Sequence, residues 1–308
     1  MATPVLSNVL DLVGNTPLLR LRRFGPEGGA AIYAKLEFLN PGGSIKDRAA
    51  IGMIDAAEKA GLLSRGATII EPTAGNTGVG LALVGISRGY RVILVVPAKF
   101  AGPKTAVMKV LGAQVVLTPD EDGMPGAIAR AQELSRETPG SFVPQQFANP
   151  ANPEIHYLTT AREIHAQLGA VPDAVVVGGG TGGTFTGVAR YFKEKDPRVL
   201  AVLVEPEGSV WGGGPAGPHR VEGIGNSFWP ETLDKSLIDE IATVSDETSF
   251  LAVADLATKE GLLVGGSSGT AAHTARELAL RLGPEASVVT IFPDGFERYL
   301  GKGPFEPR

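Results

Sequence analysis

Cysteine is missing from all 308 residues, which excludes disulfides, thiolate-bound metals and a cysteine nucleophile. The four histidines, His156, His165, His219 and His273, lack any metal-ligand spacing, so no metal site is expected. Basic runs are absent and the net charge is -5, which argues against nucleic acid or an anionic membrane as a partner. No apolar run reaches membrane-spanning length, and Met1 to Leu10 hold no basic segment followed by an apolar core. A cytoplasmic protein is the default expectation. Internal repeats and low-complexity tracts are also lacking. What remains is an ordinary globular composition, 43% hydrophobic and 20% charged, in a chain long enough for two lobes and suited to small-molecule ligands.

Strand-like runs recur at Ile32 to Phe38, Thr68 to Pro72, Val92 to Pro97, Val115 to Pro119, Ala174 to Val177, Val199 to Val204 and Val288 to Phe292. Helical patterns lie between them, among them Ile45 to Ala60, Val79 to Ser87, Lys104 to Leu111 and Thr270 to Leu282. This alternation predicts an α/β protein with largely parallel sheets. The turn cluster Gln145 to Pro153 is a plausible crossing between lobes, and Gly208 to Pro218 is the clearest irregular loop.

Four stretches carry chemistry. In Asn40-Pro41-Gly42-Gly43-Ser44-Ile45-Lys46-Asp47 a turn leads into a helix, Ser44 and Asp47 fit a capping box, and Lys46 falls in the first helical turn. The positive end of the helix dipole disfavours a charged amine there, which suits Schiff-base chemistry. Glu71-Pro72-Thr73-Ala74-Gly75-Asn76-Thr77-Gly78 follows a strand and offers backbone N–H groups and short donors to an anion; a simple turn reads equally well. The glycines of Gly178-Gly179-Gly180-Thr181-Gly182-Gly183-Thr184 permit close approach to a phosphate. No lysine completes a triphosphate loop here, but Gly178, Gly180 and Gly183, with Glu205 after the next strand, match the dinucleotide fingerprint. An NAD-dependent dehydrogenase is a rival on that segment alone. Finally, Gly265, Ser267 and Gly269 match a nucleophile elbow in a strand-turn-helix context. The hydrolase reading lacks a partner, because His273 lies within the helix that the serine opens.

Together these stretches, with Gly14-Asn15-Thr16-Pro17, Gly223-Ile224-Gly225 and Glu297-Arg298-Tyr299-Leu300, resemble the cysteine synthase and cystathionine β-synthase family of fold-type II pyridoxal 5'-phosphate enzymes. The likeness implies two lobes, each with a mostly parallel sheet flanked by helices: a smaller mobile lobe over residues 40–148, a larger one over 1–39 and 149–308, and an active site between them. It implies that Lys46 carries the cofactor as a Schiff base and removes the substrate Cα proton. Asn76 is expected at the cofactor's phenolic oxygen, Gly180, Thr181, Gly182, Gly183 and Thr184 at its phosphate, and Ser267 at its pyridine nitrogen. Thr73, Gly75, Asn76, Thr77 and Gln146 are expected to hold the substrate carboxylate.

The implied reaction is β-replacement through an enzyme-bound aminoacrylate, giving L-cysteine from O-acetyl-L-serine and sulfide. Cystathionine synthesis from serine or an activated serine and homocysteine is the alternative, and threonine-type dehydration a minor one. An intact Lys46 argues against a non-catalytic homologue. Ala74 stands where the family commonly has serine, which removes a hydroxyl near the substrate. Gly266 is expected to widen the site. A homodimer is the expected assembly.

Overall fold

The computed structural model describes residues 5–73 and 75–300, so the expectation attached to Ala74 lies outside the described residues. Nine strands are formed among them: β1 Leu18–Leu21, β2 Ala31–Leu36, β3 Thr68–Pro72, β4 Arg91–Pro97, β5 Gln114–Thr118, β6 Ala174–Gly178, β7 Leu200–Pro206, β8 Glu240–Val244 and β9 Ser287–Phe292. The α-helices are α1 Lys46–Lys59, α2 Asn76–Arg88, α3 Pro103–Val110, α4 Gly123–Glu137, α5 Ala151–Ile155, α6 Ala161–Leu168, α7 Gly183–Lys195, α8 Asp246–Glu260 and α9 Gly266–Leu282. No described helix is long and apolar enough to cross a membrane. The chain divides into two compact units, one holding the residues up to Gly14 and Asn40–Asn152, the other Asn15–Leu39 and the residues from Pro153 on.

The first unit is built on a parallel sheet in the order β3-β4-β5. Its strands are apolar on both faces because helices cover both. Ile70, Ile93 and Val95 point to one face and pack with Ala127 and Ala131 of α4. Ile69, Val92, Leu94 and Val96 point to the other, against α1, α2 and Met108 of α3. This two-sided burial is why Val92 to Pro97 reads as an uninterrupted apolar run.

In the second unit six strands follow the order β1-β2-β9-β6-β7-β8, all parallel except the edge pair β1 and β2. Ala34, Val176, Val204, Val288 and Phe292 form one core with Val253 and Leu256 of α8 and Ala275 and Leu278 of α9. The alternate residues of β2 face the other way, and among them is Lys35, which is fully buried. Its Nζ lies 2.7 Å from Glu163 Oε2 and donates to Thr16 O at 2.5 Å and Gln167 Oε1 at 2.9 Å. A buried ammonium is tolerated only when its donors are matched in this way. Thr16 Oγ1 in turn donates to Glu37 Oε1 at 2.6 Å, so the Asn15-Thr16-Pro17 segment anchors the edge of the sheet. Glu163→Gln keeps an acceptor but discards the charge, and urea unfolding is expected to show a loss of about 1–2 kcal/mol.

Candidate active site

In the first unit, α1 begins at Lys46 and leaves Ile45 as the capping residue, without a side-chain cap bond. The capping box expected of Ser44 and Asp47 forms differently. Ser44 Oγ accepts from Lys46 N at 3.2 Å, and Asp47 Oδ2 reaches back to accept from Gly42 N at 2.6 Å. Gly42 has no room for a side chain, because a Cβ there would run into that carboxylate. Gly43 adopts φ 76, the left-handed conformation the turn needs. Lys46, half-buried, is thus presented at the head of the helix by a turn closed on both sides.

The second stretch is more helical than its composition implies. α2 starts at Asn76 rather than Val79, which places Asn76 and Thr77 in its first turn. Gly80 lies one turn further along the same face, where a Cβ would stand 2.8 Å from Lys46 O. The bare glycine therefore lets α2 close onto the start of α1 and brings the Asn76 turn to the Lys46 turn. Thr73 Oγ1 accepts from Gly75 N at 3.3 Å, and Thr77 Oγ1 donates to Gln146 Oε1 at 2.6 Å. Thr73, Thr77 and Gln146 are buried, so their polar atoms face a constrained space.

Two neighbours escaped the sequence reading. Glu71 accepts from the peptide N–H groups of Gln145 and Gln146, a role signalled only by an acid inside an apolar strand. Lys104, in the first turn of α3, brings Nζ within 3.6 Å of the Cβ position of Gly75.

In the second unit the glycine stretch turns from β6 into α7. Gly182 caps the helix at φ 83, and Thr181 and Thr184 lie buried on either side of it. Thr181 Oγ1 accepts from Gly183 N at 3.3 Å, and Thr184 Oγ1 stands 3.3 Å from His156 Nε2. Glycine at 180 is required because a Cβ would meet Gly223 O, and at 179 because it would meet the Trp211 ring. Thr232 Oγ1 and Asn226 Nδ2 donate to the carbonyls of Thr181 and Gly180, which pins the turn from outside. Gly208 to Pro218 is irregular as expected; its Trp211 packs under the glycine turn.

Glu205 is taken up elsewhere. Fully buried, it accepts from Trp211 N and Gly212 N, so the acid that spacing assigned to a ribose instead holds the loop. The nucleophile-elbow context fails as well: the residues before Gly265 contribute only a single bridge, Val264 to Gly295, and α9 starts at Gly266 rather than Thr270. Ser267 is 3% exposed in the first turn of α9. Gly265 has Asp294 where a side chain would go, and Asp294 accepts from Tyr299 Oη. Burial, reinforced by that carboxylate, pushes the Tyr299 phenol well above its ordinary value. A Cβ on Gly266 would lie 3.1 Å from Phe250 and 3.6 Å from Val221, so the start of α9 packs closely against both side chains.

The short segment Val221 to Gly223 ties these parts together. Val221 adjoins Gly266 at the start of α9, and Gly223 O adjoins Gly180 in the glycine turn. One helix N-terminus with two threonine hydroxyls and no obstructing Cβ is a donor set that fits a phosphate, and a neutral serine hydroxyl on a second helix N-terminus lies across the same segment.

Comparison with known proteins agrees with this chemistry. The family model described as pyridoxal-phosphate dependent enzyme matches residues 9–294. The O-acetylserine dependent cystathionine beta-synthase of Bacillus subtilis is 46% identical over 302 residues, 98% of each chain. The cysteine synthase of Helicobacter pylori is 46% identical over 301 residues, 97% of this chain and 98% of that one. The crystal structure of O-acetylserine dependent cystathionine beta-synthase from Helicobacter pylori superimposes with a TM-score of 0.93 at 46% identity, covering 99% of this chain and all of that one. With a family model matching most of its length and full-length relatives of this kind, the chain belongs to the pyridoxal-phosphate dependent enzymes and is a β-replacement enzyme of the cysteine synthase family.

Proposed function

We propose that the protein makes L-cysteine from O-acetyl-L-serine and sulfide. The Cβ–O bond breaks, acetate leaves, the Cβ–S bond forms, and the Cα proton is removed and then returned. Pyridoxal phosphate, when bound, supplies the electron sink that makes this proton removable. Lys46 Nζ anchors the cofactor and moves the proton at Cα. Asn76 orients the ring through its phenolic oxygen. Gly180, Thr181, Gly182, Gly183 and Thr184 hold the phosphate. Ser267 meets the pyridine nitrogen. Thr73, Gly75, Asn76, Thr77 and Gln146 bind the substrate carboxylate, and residues 40–148 act as the lobe that closes over it.

The buried Ser267 hydroxyl is the observation that carries this reading. A neutral hydroxyl, unlike an aspartate, does not enforce protonation of the pyridine nitrogen. The sink is then weak enough that loss of a β-substituent is favoured over transamination or racemisation. Relatives named cysteine synthase support sulfide as the nucleophile. The relatives named O-acetylserine dependent cystathionine beta-synthase favour a second reading, with homocysteine in its place.

Turnover of O-acetyl-L-serine with each nucleophile separates the two. A larger kcat/KM with sulfide is expected, and exclusive use of homocysteine would overturn the first reading. Assembly as a homodimer belongs to the same proposal, and sedimentation velocity reads it.

A further inference from the structure

Glu71 has no part in the chemistry described so far. It is 1% exposed near the end of β3, one residue before Pro72 and two before Thr73, on the sheet face shared by Ile69 and Leu94. Its Oε2 accepts from Gln145 N at 2.9 Å and its Oε1 from Gln146 N at 3.1 Å. Gln145 is held at φ 57, a left-handed conformation that costs a residue with a side chain and persists only where the surroundings impose it. Beyond the turn, Gln145 O accepts from Ala148 N and Asn149 N, each at 2.9 Å, and Gln146 O accepts from Asn152 Nδ2 at 2.8 Å. Gln146 is therefore fixed at both its peptide groups while its side chain accepts from Thr77 Oγ1.

We propose that Glu71 is a positioning residue for the amino-acid substrate: its carboxylate clamps the Gln145 and Gln146 peptides and so fixes where Gln146 and Thr77 present their polar atoms. This rests on the assignment of Thr77 and Gln146 to the substrate carboxylate.

An ionised carboxylate offers an acceptor to each N–H, whereas a protonated one presents O–H to one of them and loses that bond. Burial pushes the Glu71 carboxyl up to about 7, against the pull of the two peptide N–H groups. Charged side chains on the elements that pack against β3 and its sheet are Arg91 on β4, Arg88 on α2, Arg130, Glu133, Arg136 and Glu137 on α4, Lys46, Asp47, Arg48, Asp55, Glu58 and Lys59 on α1, and Lys104 and Lys109 on α3. Arg88 is paired with Asp55 and Glu58, and Arg130 with Glu133. The upward shift at Glu71 comes from burial, opposed by the two peptide N–H groups, rather than from these charges. Its folded value lies above the ordinary 4.5, so the folded protein keeps a proton that the unfolded chain releases between pH 4.5 and about 7. Stability from this group falls as pH rises through that window, while the clamp becomes complete. Tight binding at neutral pH thus comes at a cost to the fold.

The test is Glu71→Gln in the holoenzyme, with KM and kcat for O-acetyl-L-serine measured from about pH 5.5 to 8. KM at the upper end is expected to rise about tenfold with kcat within about twofold, the equivalent of one lost charge-assisted hydrogen bond to the turn. As pH falls through 7, wild-type KM is expected to rise and the ratio of variant to wild type to shrink toward one. Amide exchange at Gln145 and Gln146, measured without substrate, is expected to quicken in the variant. A ratio that stays flat with pH, or a loss confined to kcat, overturns the proposal even if amide exchange changes. Should Glu71→Gln fail to fold, the wild type decides alone: a KM with no inflection near neutral pH overturns it. A wild-type enzyme that retains cofactor but binds no amino acid overturns the substrate reading itself, and intact amide protection at the turn tells that failure apart from failure of the clamp.

Discussion

Lys46→Ala is expected to lower kcat by about a thousandfold or more and to leave a protein whose visible cofactor band is lost on dialysis. In the proposed role of Lys46, two losses coincide in this variant, the covalent anchor and the group that moves the Cα proton. General acid–base transfer alone is typically worth about 10²–10⁴-fold. The fold is not at risk. Lys46 is the first residue of α1, its backbone N–H donates to Ser44 Oγ, and the tight contact with Gly80 is made by its carbonyl. All of these survive in alanine, which has the highest helix propensity. Unchanged thermal unfolding of the apoprotein is therefore the control, and turnover within about tenfold of wild type would contradict the assigned role.

How much of this site the sequence discloses depends on how far apart in the chain the interacting residues lie. Ile93 to Val96 and Val175 to Val177 are legible as strands because helices bury both of their faces, leaving unbroken apolar runs. Leu18–Leu21 and Glu240–Val244 are not, since both are edge strands whose residues are mostly partly exposed. The starts of α2 and α9 read three and four residues late for a related reason. Asn76, Thr77, Gly266 and Ser267 have the composition of a turn, yet in each case they form the first helical turn, where the backbone donors have no partner within the helix. Motifs confined to one stretch, such as the glycine turn into α7, could be assigned a chemistry. The bonds of Glu71 span 74 and 75 residues, and no local pattern reveals them. Glu205 illustrates the converse: a correct spacing for a ribose-binding acid, taken up in the structure by Trp211 N and Gly212 N.

Gly182→Val is expected to weaken pyridoxal phosphate binding by about a hundredfold and to destabilise the apoprotein by about 3 kcal/mol. Gly182 sits at φ 83, where a β-branched side chain is strained by about 1–3 kcal/mol in any surroundings. Here the surroundings also object, because a Cβ would lie 2.5 Å from Leu233 Cβ and 3.0 Å from its Cα. Leu233 is buried and cannot swing aside, so the turn itself must shift. That shift displaces the carbonyl that Thr232 Oγ1 holds, the N–H of Gly183 and the first turn of α7 with Thr184. Two misdirected hydrogen bonds to a charged phosphate, at about 1.5 kcal/mol each, correspond to the hundredfold loss. Gly213→Ala separates conformational strain from damage to the cradle: its φ is 84, nearly the same, but nothing lies within 4 Å of the added Cβ. It is expected to cost about 1 kcal/mol of stability and leave cofactor affinity unchanged, as read by fluorescence titration of apoprotein with pyridoxal phosphate. If both variants lost affinity equally, strain alone would be responsible and the glycine turn would not be the phosphate site. If neither did, the phosphate would have to be bound elsewhere in the chain.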